Sequence, residues 1–203
     1  MGHVIIMRAL PGSGKSTFAK QLAARTERDG GSVVICSADD YFYELGGGTY
    51  KFDPSKIGDA HKQCFKKFIK AIQNNIDLII VDNTNLSTWE FSPYKTYAEA
   101  MDYTVEINQV KTNPAESYKR QSHGVPQRAY EFMNDRFNNE WVPPWWNKKE
   151  YESKTTDEGL PDFPEVVEDT EDKQLKLNFA ANQSVRNLVK VAKLYQKLLK
   201  HNL

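Results

Sequence analysis

The residues with the plainest chemical meaning are Pro11, Gly12, Ser13, Gly14, Lys15, Ser16 and Thr17, consecutive in the chain. Glycines two residues apart let the backbone turn tightly, so that several N–H groups converge on one phosphate chain. Lys15 then supplies a mobile cation for the β- and γ-phosphates, and the Ser16 hydroxyl is placed for Mg²⁺. The stretch fits the phosphate-loop pattern G-x-x-x-x-G-K-[ST], with Ala9 where the first glycine would stand. Its ligand class is a nucleoside triphosphate, ATP or GTP.

Transfer of a phosphoryl group to a hydroxyl also needs a base and a cation over the transferring group. Asp39 and Asp40 follow the apolar run 33–36, and Asp82-Asn83-Thr84-Asn85 follow the apolar run 78–81. Asp39 is the expected base, with Tyr41 beside it. Asp40 is the lesser candidate, because neighbouring side chains point apart. Asp82 is placed to hold Mg²⁺ through water, and Asn83, Thr84 and Asn85 to hydrogen-bond the acceptor or Asp82. Arg120 is the leading cation of a lid that excludes water from the phosphates; Arg128 and Arg136 lie further along it.

These groups need a scaffold that brings them to one rim. Apolar runs at 3–7, 32–36 and 77–82 read as buried strands, and the alternating run 104–110 as a strand nearer the sheet edge. Helical patterns follow at 15–28, stopped by Gly30 and Gly31, and at 54–74. On the latter Ile57, His61, Cys64, Phe65, Phe68 and Ile72 share a face, so His61 is expected to be packed. Ser87 and Glu90 form a capping box for a short turn, and Pro93 opens a helix to about residue 101. Gly46-Gly47-Gly48 is too glycine-rich for regular structure and is expected to be mobile. Alternation of strand and helix predicts an α/β fold with a mainly parallel sheet and right-handed crossovers. In such sheets ligands sit beyond the carboxyl ends of the strands. That rule gathers 12–17, 39–40 and 82–85 on one rim.

The division expected is a P-loop kinase domain over 1–149, with a helical lid over about 111–149, an acidic linker over 150–175 and a basic amphipathic helical tail over 176–203. The tail's stripe of Val185, Leu188, Ala192, Tyr195 and Leu199 would dock on the domain or on a protein partner, or its interleaved Arg186, Lys190, Lys193, Lys197 and Lys200 would meet nucleic acid or a membrane. Lysine plus arginine equal aspartate plus glutamate at 27 each, so no global field attracts a polyanion and any such attraction is local. The lid is the expected local patch. Tyr41, Phe42, Trp145 and Trp146 are candidates to stack terminal bases. Cys36 and Cys64 have no C-x-x-C spacing and read as reduced core thiols. With no apolar run of membrane length and no signal-peptide pattern, the expectation is a cytoplasmic or nuclear protein in a reducing compartment, away from membranes.

The blocks Leu10-Pro11-Gly12-Ser13-Gly14-Lys15-Ser16, Ser37-Ala38-Asp39-Asp40-Tyr41, Asp82-Asn83-Thr84-Asn85 and Arg120 with His123-Gly124-Val125 resemble the phage-type polynucleotide kinase family. They are also similar to the related P-loop module of 2′,3′-cyclic nucleotide 3′-phosphodiesterase and to kinase-like modules of some ubiquitin-ligase-binding proteins. The likeness spans roughly 4–146. It implies a parallel sheet of four or five strands flanked by helices, a helical lid, and transfer of the γ-phosphate of ATP to the 5′-hydroxyl of DNA or RNA. It also implies Asp39 as general base and an essential lid arginine. Two positions depart from the family pattern. Phe42 stands where an arginine follows the base, and the lid arginine falls near His123, so that Arg120 matches a neighbouring arginine.

Three functions therefore stand side by side: a polynucleotide 5′-hydroxyl kinase; a P-loop kinase for a nucleoside, a modified base or a small metabolite; and a nucleotide-binding interaction module with weak ATPase activity.

Overall fold

A computed structural model of the chain describes residues 2–155 and the backbone of a short strand at 161–162. The linker beyond residue 155 and the tail over 176–203 fall outside the described residues, the strand at 161–162 apart.

The elements run β1 (His3–Ala9), α1 (Lys15–Arg28), β2 (Val33–Cys36), α2 (Asp39–Leu45), α3 (Ile57–Gln73), β3 (Leu78–Val81), α4 (Thr88–Ala100), β4 (Thr104–Lys111), α5 (Pro114–Arg120), α6 (Gln127–Asn139) and β5 (Lys148–Glu152). A two-residue strand, β6 (Lys154–Thr155), pairs with β7 (Pro161–Asp162). The five-stranded sheet has the order β2-β3-β1-β4-β5, and every pairing in it is parallel. This is the P-loop kinase fold.

Period two explains how one central strand serves two layers. In β1, Val4 and Ile6 face the core that holds α3 and α4, with Phe68 and Phe91. Ile5, Met7 and Ala9 face the core of α1, with Phe18, Ala19 and Ala23. A third, smaller cluster of Leu10, Leu86, Tyr130 and Phe137 seats α6 over the strand ends.

The chain leaves β1 toward β2 on one side and leaves β3 toward β4 on the other. The β1/β3 boundary is therefore the topological switch point, where the crevice of an open α/β sheet forms. The phosphate loop after β1 and Asp82 after β3 flank it. Cys36 and Cys64 are free and buried, and burial pushes the Cys36 thiol up to about 12.

Four local expectations change. Pro93 lies inside α4 rather than at its start: the capping box of Ser87 and Glu90 opens one helix that continues through the proline. Only one helical hydrogen bond is lost there, which the buried Phe91, Tyr94 and Tyr97 outweigh. β4 lies beside the edge strand β5, nearer the edge as expected, but its six middle residues are all buried instead of alternating. Its alternation misleads because Glu106, Asn108 and Gln109 are buried polar groups. Glu106 pairs with Lys149 at 2.9 Å, and Gln109 accepts from Arg8 at 2.7 Å.

β5 straddles the boundary expected at 149/150, so the sheet extends to Glu152 and the helical part of the lid ends at Asn139. Charged KKEYE carries no strand signal, but Tyr151 is buried against Phe18, with ring centroids 4.8 Å apart. His61 is exposed on α3 rather than packed, because its side of the helix borders a cavity instead of the core.

Candidate active site

The phosphate loop is held by its own geometry. Gly12 and Gly14 take φ of +74° and +88°, a region open to glycine and strained for other residues. A side chain at Gly12 is excluded twice over, because a Cβ there would sit 2.0 Å from the Ser117 carbonyl oxygen. The end of α5 thus presses directly on the loop. Ser13 is fully buried, and its Oγ accepts from the Lys15 N–H at 3.4 Å. No side chain caps the N-terminus of α1, which leaves its first-turn N–H groups directed at the crevice.

Lys15 Nζ lies 3.3 Å from Asp82 Oδ1 and 3.3 Å from Ser16 Oγ. Asp82 is buried, and its Oδ1 takes part in no hydrogen bond. This oxygen, ion-paired with Lys15 but accepting no hydrogen bond, and the Ser16 hydroxyl on the same lysine fit Mg²⁺, which is held by one or two protein oxygens plus phosphates and water rather than by a protein cage. Among the described residues no group of three or more His, Cys, Asp or Glu could hold a metal.

Asp39 opens α2, where its charge favours the helix N-terminus. Two ties, one of them buried, fix it against the neighbouring strand. Asn83 Oδ1 accepts from the Ala38 N–H at 2.9 Å, and the Ser37 hydroxyl donates to the Asp82 carbonyl at 3.1 Å. The carboxylate is held from two further elements. The Tyr50 hydroxyl donates to Oδ1 at 3.1 Å, and His123 Nε2 lies 3.7 Å from Oδ2. The Tyr50 and His123 rings meet at 4.2 Å. Burial, then the Asp39 carboxylate, raises the Tyr50 phenol above its ordinary pKa, so it stays a donor at neutral pH.

Tyr50 is brought there by the glycine turn. Gly48 N–H donates to the Tyr43 carbonyl, Lys51 N–H to Phe42, and Gly47 and Gly48 take φ of +63° and +100°. The segment expected to be mobile is hydrogen-bonded.

These groups line one cavity of about 750 Å³. Pro11, Gly12, Gly14, Lys15, Ser16 and Thr17 of the phosphate loop line it, together with Asp39, Tyr50 and His123 and with Asn83 and Thr84. Phe52, Ile57 and His61 form part of its wall, while Val125, Pro126 and Met133 cover it from the lid. Arg120 reaches in from the end of α5, donating to the Gly12 carbonyl at 3.2 Å and to Thr112 Oγ1 at 3.0 Å. The turn carrying His123 is closed by Gln121, whose side chain bonds Val125 N–H at 3.0 Å and its carbonyl at 3.3 Å.

Other expected site residues are placed elsewhere. Asp40 faces away from the cavity and pairs with Lys67 at 2.7 Å, since consecutive residues at a helix start diverge. Tyr41 packs against the core with its ring on Phe42. Asn85 is buried, and its amide donates to the Met7 carbonyl at 2.7 Å, so it ties strand ends together.

Trp146 packs on Phe91 and under Lys95, and Trp145 on Trp141, away from the cavity. The basic lid patch is largely neutralised: Lys111 and Lys148 meet Glu150, Lys149 meets Glu106, and Arg136 meets Glu90. Arg128 lies over Phe132 instead of the cavity.

Arg8 went unnoticed in the sequence, because the first apolar run ends at Met7 and the strand continues past it to Ala9. It is 1% exposed and donates to Gln109 Oε1, the Leu86 carbonyl and the Phe137 carbonyl at 2.7, 3.0 and 2.8 Å. Its guanidinium also lies 4.3 Å from the Phe137 ring centre, and burial lowers its pKa to about 10. It fastens the last turn of α6 to the sheet, where the helix dipole favours a cation. Tyr50 and Phe52 were missed as well. Their only sequence signal is their position just past Gly46-Gly47-Gly48.

A switch-point phosphate loop, a strand-end acid and a helical lid define a nucleotide-binding P-loop protein of the kinase-like kind. The chain belongs to the AAA domain family AAA_33, whose model matches residues 4–137. Over 138 residues, 66% of this chain, it is 36% identical to human NEDD4-binding protein 2. Over 108 residues, 50% of this chain, it is 30% identical to a putative bifunctional polynucleotide kinase/RNA ligase of Autographa californica nuclear polyhedrosis virus. The matched stretches span only 8% and 15% of those relatives.

Among solved structures, a chain of the Pnkp1/Rnl/Hen1 RNA repair complex superimposes with a TM-score of 0.54 at 20% identity, over 84% of this chain and 50% of that one. Kti12 of Chaetomium thermophilum, solved with ADP-AlF3, gives 0.54 at 15% identity, over 77% and 92%. Both share the fold. The resemblance to polynucleotide kinases thus stands at the level of the P-loop family. Among the described residues no helix is long and apolar enough to cross a membrane.

Proposed function

We propose that the protein is an ATP-dependent kinase that phosphorylates the 5′-hydroxyl of a polynucleotide, with Asp39 as general base. One observation carries this reading: the Asp39 carboxylate, held by Tyr50 and His123, lines the same cavity as Lys15, Ser16 and Arg120. A phosphate-binding loop and a carboxylate lining one space are what hydroxyl phosphorylation needs.

The phosphate loop would bind the triphosphate through its N–H groups and Lys15. Mg²⁺, held by Ser16 Oγ and, through water, by Asp82, would supply charge for the β- and γ-phosphates. Asp39 would take the proton as the acceptor oxygen forms its bond to the γ-phosphorus. The bond from that phosphorus to the β–γ bridging oxygen breaks, and ADP leaves. Arg120 and the lid exclude water, which favours the acceptor over hydrolysis.

The polynucleotide part of the reading is supported by the likeness to the viral polynucleotide kinase/RNA ligase and by an apolar mouth of Phe52 and Ile57 suited to a base. The test is incubation of the chain with labelled ATP and a 5′-hydroxyl oligonucleotide, a nucleoside panel, or no acceptor. Label on the oligonucleotide, lost in Lys15→Ala, is the expected result. Label on nucleosides alone, or phosphate release alone, overturns it.

A further inference from the structure

We propose that the outer face of α3 is a phosphate track, so that the acceptor is an extended single-stranded nucleic acid that leaves the cavity along this helix. This rests on the kinase reading above.

The chain is neutral overall, yet residues 51–73 hold six lysines against only Asp53 and Asp59. Of the lid cations, Lys111, Arg136, Lys148 and Lys149 are paired with carboxylates. On α3 the situation differs. Lys67 pairs with Asp40, and Lys56 meets Asp59 at 3.6 Å. Lys62, Lys66 and Lys70 are exposed, and among the described residues none of the three forms an ion pair. Spaced four apart, they share one side of the helix and advance about 6 Å per step. That step is of the order of the phosphate spacing in an extended strand.

The lysine row begins one residue past the cavity wall. His61, which lines the cavity, precedes Lys62 directly. Phe52 and Ile57 at the mouth are 50% and 41% exposed, as a stacking platform for a terminal base must be. On the far side a second hollow, about 320 Å³, is lined by Lys66, Lys67, Lys70 and Ser37, together with Asp40 and Glu44. Both of its carboxylates are engaged, Asp40 by Lys67 and Glu44 by the Gln63 amide at 2.8 Å. Gln63 is neutral and Glu44 keeps its charge, so three lysines against two carboxylates leave the hollow with one net positive charge. Asp39 lines the cavity and Asp40 the hollow, so the first turn of α2 is the divide between reacting end and trailing strand.

The test uses the full chain carrying Lys62→Glu, Lys66→Glu and Lys70→Glu together, with the triple glutamine variant as a control for repulsion. Binding of a fluorescein-labelled single strand of about twelve nucleotides is followed by anisotropy, and kcat/KM is measured for that strand and for a nucleoside 3′-monophosphate. The expected result is a Kd and KM for the strand raised about tenfold or more in the glutamate variant, with the glutamine variant intermediate. The salt slope should fall by about 2, three phosphates at about 0.7 each. The mononucleotide and the KM for ATP should not change. Wild-type affinity in the glutamate variant, or an equal loss on the mononucleotide, overturns the track and leaves the kinase reading standing. Strand binding that weakens in the variant while no acceptor is ever phosphorylated supports the track and overturns the kinase reading.

Discussion

The Tyr50 hydroxyl donates a 3.1 Å hydrogen bond to Asp39 Oδ1, and so the glycine-rich turn after α2 reports directly on the carboxylate that opens α2. The ring of Tyr50 also rests on His123 of the lid. One side chain thereby joins three segments, 39–45, 46–53 and 121–125, around the candidate base.

Asp39→Asn should lower phosphoryl transfer by about 10²-fold or more, as loss of a general base does. ATP binding, measured by equilibrium dialysis, should survive, because the phosphate loop does not touch this carboxylate. Asp40→Asn should leave turnover within about twofold and cost only about 0–1 kcal/mol, since it loses a half-exposed pair with Lys67. Equal kinetic effects at the two positions would reject Asp39 as the base.

Tyr50→Phe should lower kcat about 3- to 10-fold with the KM for ATP unchanged, because it frees the carboxylate without touching the phosphate site. The phenol's folded pKa lies above its ordinary value. Its stabilisation is therefore fully present below the ordinary phenol pKa of about 10 and is lost as pH rises beyond it. The stability difference between wild type and Tyr50→Phe should be flat from pH 6 to about 9 and should shrink above that. Urea unfolding at several pH values checks it.

Arg8→Met should destabilise the domain by about 2–4 kcal/mol, because it leaves the Leu86 and Phe137 carbonyls and Gln109 without their buried donor. For a domain of this size that is a fall in Tm of about 4–16 °C. Lid contacts should loosen first, seen as faster hydrogen exchange in α6 than in α1. An unchanged Tm would show that Arg8 does not fasten the lid.

Ending the chain after Ser153 should keep a folded nucleotide-binding domain, whereas ending it after Asn147 should not. The shorter form loses Tyr151 from the α1 layer and the Lys149 partner of buried Glu106, and it bares the edge of β4. A loss of about 3 kcal/mol or more is expected from the aromatic alone. Thermal melts and light scattering of the two truncations distinguish them, and equal stability would contradict a structural role for β5.

By itself the sequence determined the phosphate loop, the strand–helix alternation and the rim on which Asp39 and Asp82 lie. Those features are local: glycines at fixed spacing, apolar runs four or five long, and polar residues at their carboxyl ends. It also foretold that Asp39 and Asp40 would part company, since adjacent residues diverge. Only the tertiary structure decided the rest. Arg8 is a buried fastener because Gln109, Leu86 and Phe137, distant in sequence, converge on it. KKEYE is a strand because β4 offers it an edge and Phe18 a partner for Tyr151, neither of which its own residues announce. Tyr50 and His123 meet Asp39 because a turn and a lid close over the same point. Contacts between segments tens of residues apart leave no periodicity to read, so these residues are found only once the chain is folded.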